Sequence, residues 1–122
     1  MNVGGTAQAH YNKAIQAAFA NWGVAGADSY LTNSLVNYKT ATGTYKEKIG
    51  TQKWIVLHNR GFEGWTEWQR SNFPRLNVSA GKTYADIPVW FTYPIAEQSL
   101  NTSSYTAAAA AVGGDKVSTR LF

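Results

Sequence analysis

TYKEKIGTQKWIVLHNRGFEGWTEWQRSNFP, residues 44–74, is the stretch on which the fold turns. It holds three of the five tryptophans, Trp54, Trp65 and Trp68, and both halves carry helical spacing. Ile49, Val56 and Leu57 recur on one side of the first half, and Lys53 can lay its aliphatic stem along the same stripe. In the second half Phe62, Trp65 and Trp68 lie three apart, with Glu63, Glu67 and Arg70 around the remaining surface. Gly61 separates the halves, and Pro74 stops the second from running on. The pattern predicts an αα-hairpin of two antiparallel helices, about 45–59 and 62–72. Thr44 and Glu47 have the spacing of a capping box at its start. Gly50 costs a helix about 1 kcal/mol relative to alanine, so it is either tolerated or kept for the close approach of a neighbour.

Upstream, Tyr11, Ile15, Phe19 and Trp22 follow at steps of four, four and three, with Ala14 and Ala18 filling the same face. This predicts a helix over 7–22, ended by Gly23, which adopts positive φ without a Cβ penalty. Tyr30, Leu31, Leu35 and Tyr38 predict a second helix over 27–39, although Ser29, Thr32, Asn33, Ser34 and Asn37 weaken its propensity.

Beyond Pro74 the pattern changes. Residues 75–93 show no helical period, and Pro88 and Pro94 force extended geometry on Ile87 and Tyr93. Trp90, Phe91 and Tyr93 therefore sit on a stiff irregular segment, where some rings pin the chain and others are left for a ligand. Residues 95–99 suit a single helical turn starting at Pro94. Asn101 is the expected cap of a last helix over 102–112, closed by Gly113-Gly114. The apolar end, Leu121-Phe122, is expected to dock. The expectation is one all-α, multihelical unit over 1–122, with Trp22, Trp54, Trp65, Ile49, Leu57 and Phe62 in its core. Such helix pairs are the unit from which α-solenoids are stacked.

A chain of 122 residues fits one domain and buries roughly two thirds of its extended surface. Only 15% of residues are charged, and the formal charge of +4 is not gathered into a block. Lys46, Lys48 and Lys53, the densest basic pattern, are interrupted by Glu47, so no nucleic-acid footprint is present. Polarity comes from amides, hydroxyls and seven tyrosines, which suits neutral polyhydroxy ligands or protein surfaces. The absence of cysteine removes disulfides, thiolate metal sites and a cysteine nucleophile. The segment after Met1 has neither the basic nor the apolar region of a signal peptide, and MNVGG reads as a loop where the chain was cut. Any export signal is then expected upstream.

No nucleophile elbow, phosphate loop, zincin motif or calcium loop occurs, so no catalytic residue, cofactor or metal is expected. Glu63 and Glu67 share one helix face, whereas glycoside hydrolysis needs carboxyls on opposite sides of the bond. An ion pair of Glu67 with Arg70 is the simpler reading, and a hydrolase using Glu63 and Glu67 the remote alternative. His10 and His58 have no partner at ligand spacing. The unusual feature is aromatic content, 17 rings in all. Flat rings on rigid supports stack on sugars, and Trp90, Tyr84 and Trp68 are the candidates for ligand or partner contact.

The same residues resemble a known family. Ile49-Gly50-Thr51-Gln52-Lys53-Trp54-Ile55, Gly61-Phe62-Glu63-Gly64-Trp65 and Arg70-Ser71-Asn72-Phe73-Pro74-Arg75-Leu76 resemble the C-terminal part of SusD/RagB-like outer-membrane lipoproteins of Bacteroidetes. Ile87-Pro88, Tyr93-Pro94, Glu97, Asn101 and Tyr105 are similar to a later segment of that family. Two departures stand out: Trp90 replaces a usual arginine, and Leu121-Phe122 stands where tryptophans and an aspartate often close the chain. The resemblance implies a scaffold of tetratricopeptide-like helix pairs whose irregular insertions carry ligand contacts. It also implies a non-enzymatic nutrient-binding protein, lipid-anchored and facing outward, that captures glycans or peptides for a TonB-dependent transporter. The chain would be a C-terminal fragment of it, without signal peptide or lipidated cysteine, and much of the ligand surface would lie upstream. The alternative within this reading is a fragment that only supports the upstream domain or contacts the transporter.

Overall fold

The computed structural model describes residues 4–120, and the expected docking of Leu121-Phe122 lies outside them. Six α-helices and one short 3₁₀ turn account for the regular structure, and no strand occurs among the described residues. The chain divides into two compact units, the first up to Pro74 and the second from Arg75, rather than the single unit expected. The boundary falls where helical periodicity gives way to proline-punctuated sequence.

In the first unit α1 spans Ala7–Asn21. Thr6 caps it by accepting a hydrogen bond from the Ala9 N–H at 3.1 Å. Its far end is a Schellman turn: Gly23 N–H bonds Ala20 O, Val24 N–H bonds Phe19 O, and Gly23 has φ 66°. Helix α2 is only Ala27–Thr32, not 27–39. The reason is local competition. Asn33 Oδ1 accepts from Leu35 N–H and Asn37 Oδ1 from Lys39 N–H, offering the backbone turns in place of a helical ladder. Tyr11, Ile15, Leu31 and Val36 form the buried core, with Phe19, Tyr30 and Tyr38 packed around it. The Tyr11 hydroxyl is satisfied by Val36 O at 2.8 Å, and burial, then the neighbouring Tyr30, pushes its pKa up.

The hairpin consists of α3, Tyr45–Val56, and α4, Gly61–Ser71. Thr44 caps α3 through its hydroxyl, which accepts from Glu47 N–H. Three contacts fix the antiparallel register: Gly50 against Ser71 and Phe73, Lys53 against Glu67, and Leu57 and Trp54 against Gly64. Gly50 is buried, and a Cβ there would lie 2.9 Å from Phe73 Cβ and 3.0 Å from Ser71 Oγ. Close approach is therefore its role.

Three of the six residues expected in the core are exposed. Phe62 is 69% exposed, and Trp22 and Ile49 are each 40% exposed. Steps of three residues turn about 300°, so Phe62, Trp65 and Trp68 fan out rather than stack on one line. The inward face of α4 is Gly64 and Trp68, which leaves Phe62 outside, its ring edge-on to Trp65 at 6.0 Å. Trp22 lies one residue past the end of α1, with its ring 5.0 Å from that of His58. Ile49 lines an open groove between α1 and α3. Trp54, Trp65 and Leu57 are half-buried.

In the second unit a 3₁₀ turn covers Tyr84–Asp86, and α5 (Ile95–Leu100) packs on α6 (Thr102–Ala111). Asn101 does not cap α6 with its side chain; its amide instead donates to Glu97 Oε2 at 3.2 Å. Gly113 and Gly114 close α6 as a second Schellman turn, bonding Ala110 O and Ala109 O.

Candidate functional site

The three rings singled out in the sequence have different fates. Trp68 is 1% exposed and has no face to offer a ligand, which corrects its assignment as a contact residue. Gly64, one turn earlier on the same face, leaves room between the helices, and the indole N–H donates to Pro74 O at 3.0 Å. Beside it Ser71 Oγ lies 2.9 Å from Glu67 O and 3.1 Å from Phe73 O, which share its single proton, and it accepts from Phe73 N–H. The chain thus leaves α4 through Asn72 in the left-handed conformation and a cis Phe73–Pro74 bond, with its polar groups accounted for. Trp68 is a clamp on the hairpin.

Trp90 and Tyr84 lie in the second unit, and each is half-buried. The Trp90 indole N–H donates to Asp115 Oδ1 at 2.8 Å, and the Tyr93 amide reaches both oxygens of that carboxylate at 3.1 Å. Trp90 meets Tyr93 edge-on at 6.1 Å, and Tyr93 meets Tyr105 at 5.9 Å and 85°. Burial, followed by the charge and hydrogen bond of Asp115, raises the Tyr105 pKa. Val117 O receives the amides of both Val89 and Trp90. The segment after α6 therefore pins the irregular loop, with Asp115 as its centre. The role of Asp115 is what sequence reasoning missed here. Its only signal was its place directly after Gly113-Gly114, because its contact with Trp90 spans 25 positions.

Tyr84 takes different partners. The Arg75 guanidinium lies 4.7 Å from its ring centroid and covers one face. The turn that carries it is a capping box, with Thr83 N–H and Oγ both donating to Asp86 Oδ2. The Thr83 backbone, then its hydroxyl, holds the Asp86 carboxyl below its usual range. Phe91, between these elements, is 69% exposed. The second unit thus offers rigidly held rings with amide and hydroxyl neighbours, a surface able to stack and hydrogen-bond.

The two carboxylates of α4 have different surroundings. Glu67 bridges Lys53 at 2.8 Å and Arg70 at 2.6 Å. Burial alone would raise its carboxyl, but the hydrogen bonds and charges of Arg70 and Lys53 outweigh that and lower it. A carboxylate held ionised in this way is a poor proton donor at neutral pH, where a glycosidase needs a raised one. Glu63 stands exposed in the first turn. Among the described residues no group of three or more His, Asp or Glu is placed to hold a metal, and no helix is long and apolar enough to cross a membrane.

Comparison with known proteins fits this geometry. The family model of SusD-like proteins described as "Starch-binding associating with outer membrane" matches residues 2–94, well over half of the chain. The chain belongs to the SusD-like family. A solved structure named as a SusD-like protein of Bacteroidetes AC2a superposes with a TM-score of 0.80 at 26% identity. The match covers 98% of this chain but 26% of that one, so the sequence has the extent of a fragment of such a protein. No match is found among curated proteins. The all-helical architecture read from the sequence agrees with this SusD-like fold.

Proposed function

We propose that this chain is part of a non-enzymatic binding component of an outer-membrane nutrient uptake complex, which captures oligosaccharide and delivers it to a TonB-dependent transporter. The observation that carries this reading is the family match over residues 2–94. The engaged Glu67 carboxylate supports a binding role over hydrolysis. In the complete protein the anchor is a lipid at the outward face of the outer membrane. Tyr84 and Trp90 are the residues of this chain best suited to reach a sugar or the transporter, since both sit on the irregular segment and are half-buried rather than sealed. A peptide ligand would use the same rings.

The role of the rings is tested by a glycan and peptide screen on the complete protein, repeated with Tyr84→Ala and Trp90→Ala. A tenfold loss, equivalent to about 1.4 kcal/mol, places the altered ring at the site. Unchanged affinity in folded variants removes these rings from the ligand surface. Co-purification with a TonB-dependent transporter that survives both substitutions but is lost with another part of the segment 75–93 favours the transporter-contact reading.

A further inference from the structure

The groove between α1 and α3 is unlike a sugar site. It has a volume of about 550 Å³ and runs along α1 through Ala7, Tyr11, Ala14, Ala18 and Trp22. These residues recur at steps of three and four over the whole helix, a length of about 22 Å. The opposite wall is Ile49, Lys53 and Val56 of α3, again at helical spacing. Ala7, Ala14 and Ala18 keep the α1 side shallow, and Trp22, Ile49 and Ile55 beside them are exposed.

Apart from His58, whose ring packs against Trp22, the amide and ionisable side chains along this groove are already engaged. His10 Nε2 lies 2.6 Å from Gly4 O, Gln52 Oε1 accepts from the Tyr30 hydroxyl, and Lys53 pairs with Glu67. Sugar recognition needs polar groups that converge on the ligand, and these are committed elsewhere. An extended segment or loop would bring backbone amides and carbonyls that the apolar walls cannot satisfy. A helix satisfies its own backbone and presents side chains at the period at which the walls are built.

We propose that the groove seats one amphipathic helix from the part of a SusD-like polypeptide that lies outside these 122 residues. Its apolar face packs between Trp22 and Ile55, four turns of it matching the length of α1. Two facts favour this occupant: the groove is a helix-length apolar trough, and the chain spans only 26% of the SusD-like structure it matches. The proposal goes beyond nutrient capture and does not depend on which ligand the protein takes.

The test uses the full-length protein carrying the photo-crosslinking side chain p-benzoylphenylalanine in place of Trp22, and separately in place of Ile55. After irradiation at low concentration, crosslinks should map within one polypeptide to a segment outside the 122 residues, at positions three and four apart. A crosslinked dimer, a crosslink to lipid or added oligosaccharide, the absence of any crosslink, or a natural product with no further polypeptide overturns the proposal. Unaltered protein supplies a second readout through diethyl pyrocarbonate modification of His58, which is exposed in this chain beside Trp22. In the native full-length protein the rate should fall at least ~10-fold below that in denaturant, since only opening of the packed helix exposes the ring. Equal rates contradict it.

Discussion

Gly50→Ala separates two opposed effects of known size. In an isolated helix the change is favourable by about 1 kcal/mol, because alanine is the better helix former. In this hairpin the new methyl lies 2.9 Å from Phe73 Cβ, 3.0 Å from Ser71 Oγ and 3.2 Å from Phe73 O. Carbon atoms pack at roughly 3.5–4.0 Å, so α3 and the end of α4 must part by about 0.5–1 Å. Ser71 cannot simply rotate away, because its hydroxyl holds Glu67 O, Phe73 O and Phe73 N–H together. Overpacking of this kind costs about 1–3 kcal/mol, and the same shift loosens the bond of Trp68 to Pro74 O. The net expectation is a loss of about 1–2 kcal/mol, read as a lower urea midpoint in tryptophan fluorescence. Gly61→Ala is the control: nothing lies within 4 Å of its Cβ position and its φ is not positive, so it should gain about 0.4–1 kcal/mol. If Gly50→Ala raises the midpoint as Gly61→Ala does, the close packing of α3 on α4 is refuted.

Trp68→Phe removes ring volume and the part-buried bond to Pro74 O, and the lost bond alone costs about 0.5–1.5 kcal/mol in urea titration. Trp68→Ala should cost about 3–5 kcal/mol, whereas a loss under ~1 would mean an accessible ring. Asp115→Ala deprives Trp90 and Tyr93 of their acceptor, and Tyr105 should then titrate closer to an ordinary tyrosine in an ultraviolet pH titration. Glu67 contributes to acid stability. Its folded pKa is depressed, so its contribution is present above the ordinary value of 4.5 and is lost as pH falls through the lower, folded one. Glu67→Gln should be less stable than the parent near neutrality and lose less stability on acidification through that window, as measured by urea midpoints across pH.

What was legible in the sequence was what local chemistry decides. The stripe Tyr11-Ile15-Phe19 with Gly23 as stop, the Thr44 cap, and the hairpin either side of Gly61 follow from period, capping and glycine alone. The length of α2 was missed because Asn33 and Asn37 divert the backbone with their own side chains, an effect that an apolar stripe does not register. Which ring of α4 faces inward depended on the partner helix. Gly64 opens the space that Trp68 fills, while Phe62, equally apolar, is left outside. The mooring of Trp90 was beyond reach because Asp115 comes from a different element. Trp22 and Ile49 read as core because an amphipathic stripe marks an apolar face without saying which element packs on it, and here both line an open groove.

The central claim is capture without chemistry. The most direct measurement is to incubate the complete protein with a panel of starch-type and other oligosaccharides, determine binding by calorimetry, and analyse the recovered sugar by mass spectrometry. The account predicts saturable binding of at least one oligosaccharide, recovered at its original chain length. Cleaved product that disappears with Glu67→Gln, or no binding of any oligosaccharide in the panel, would contradict it.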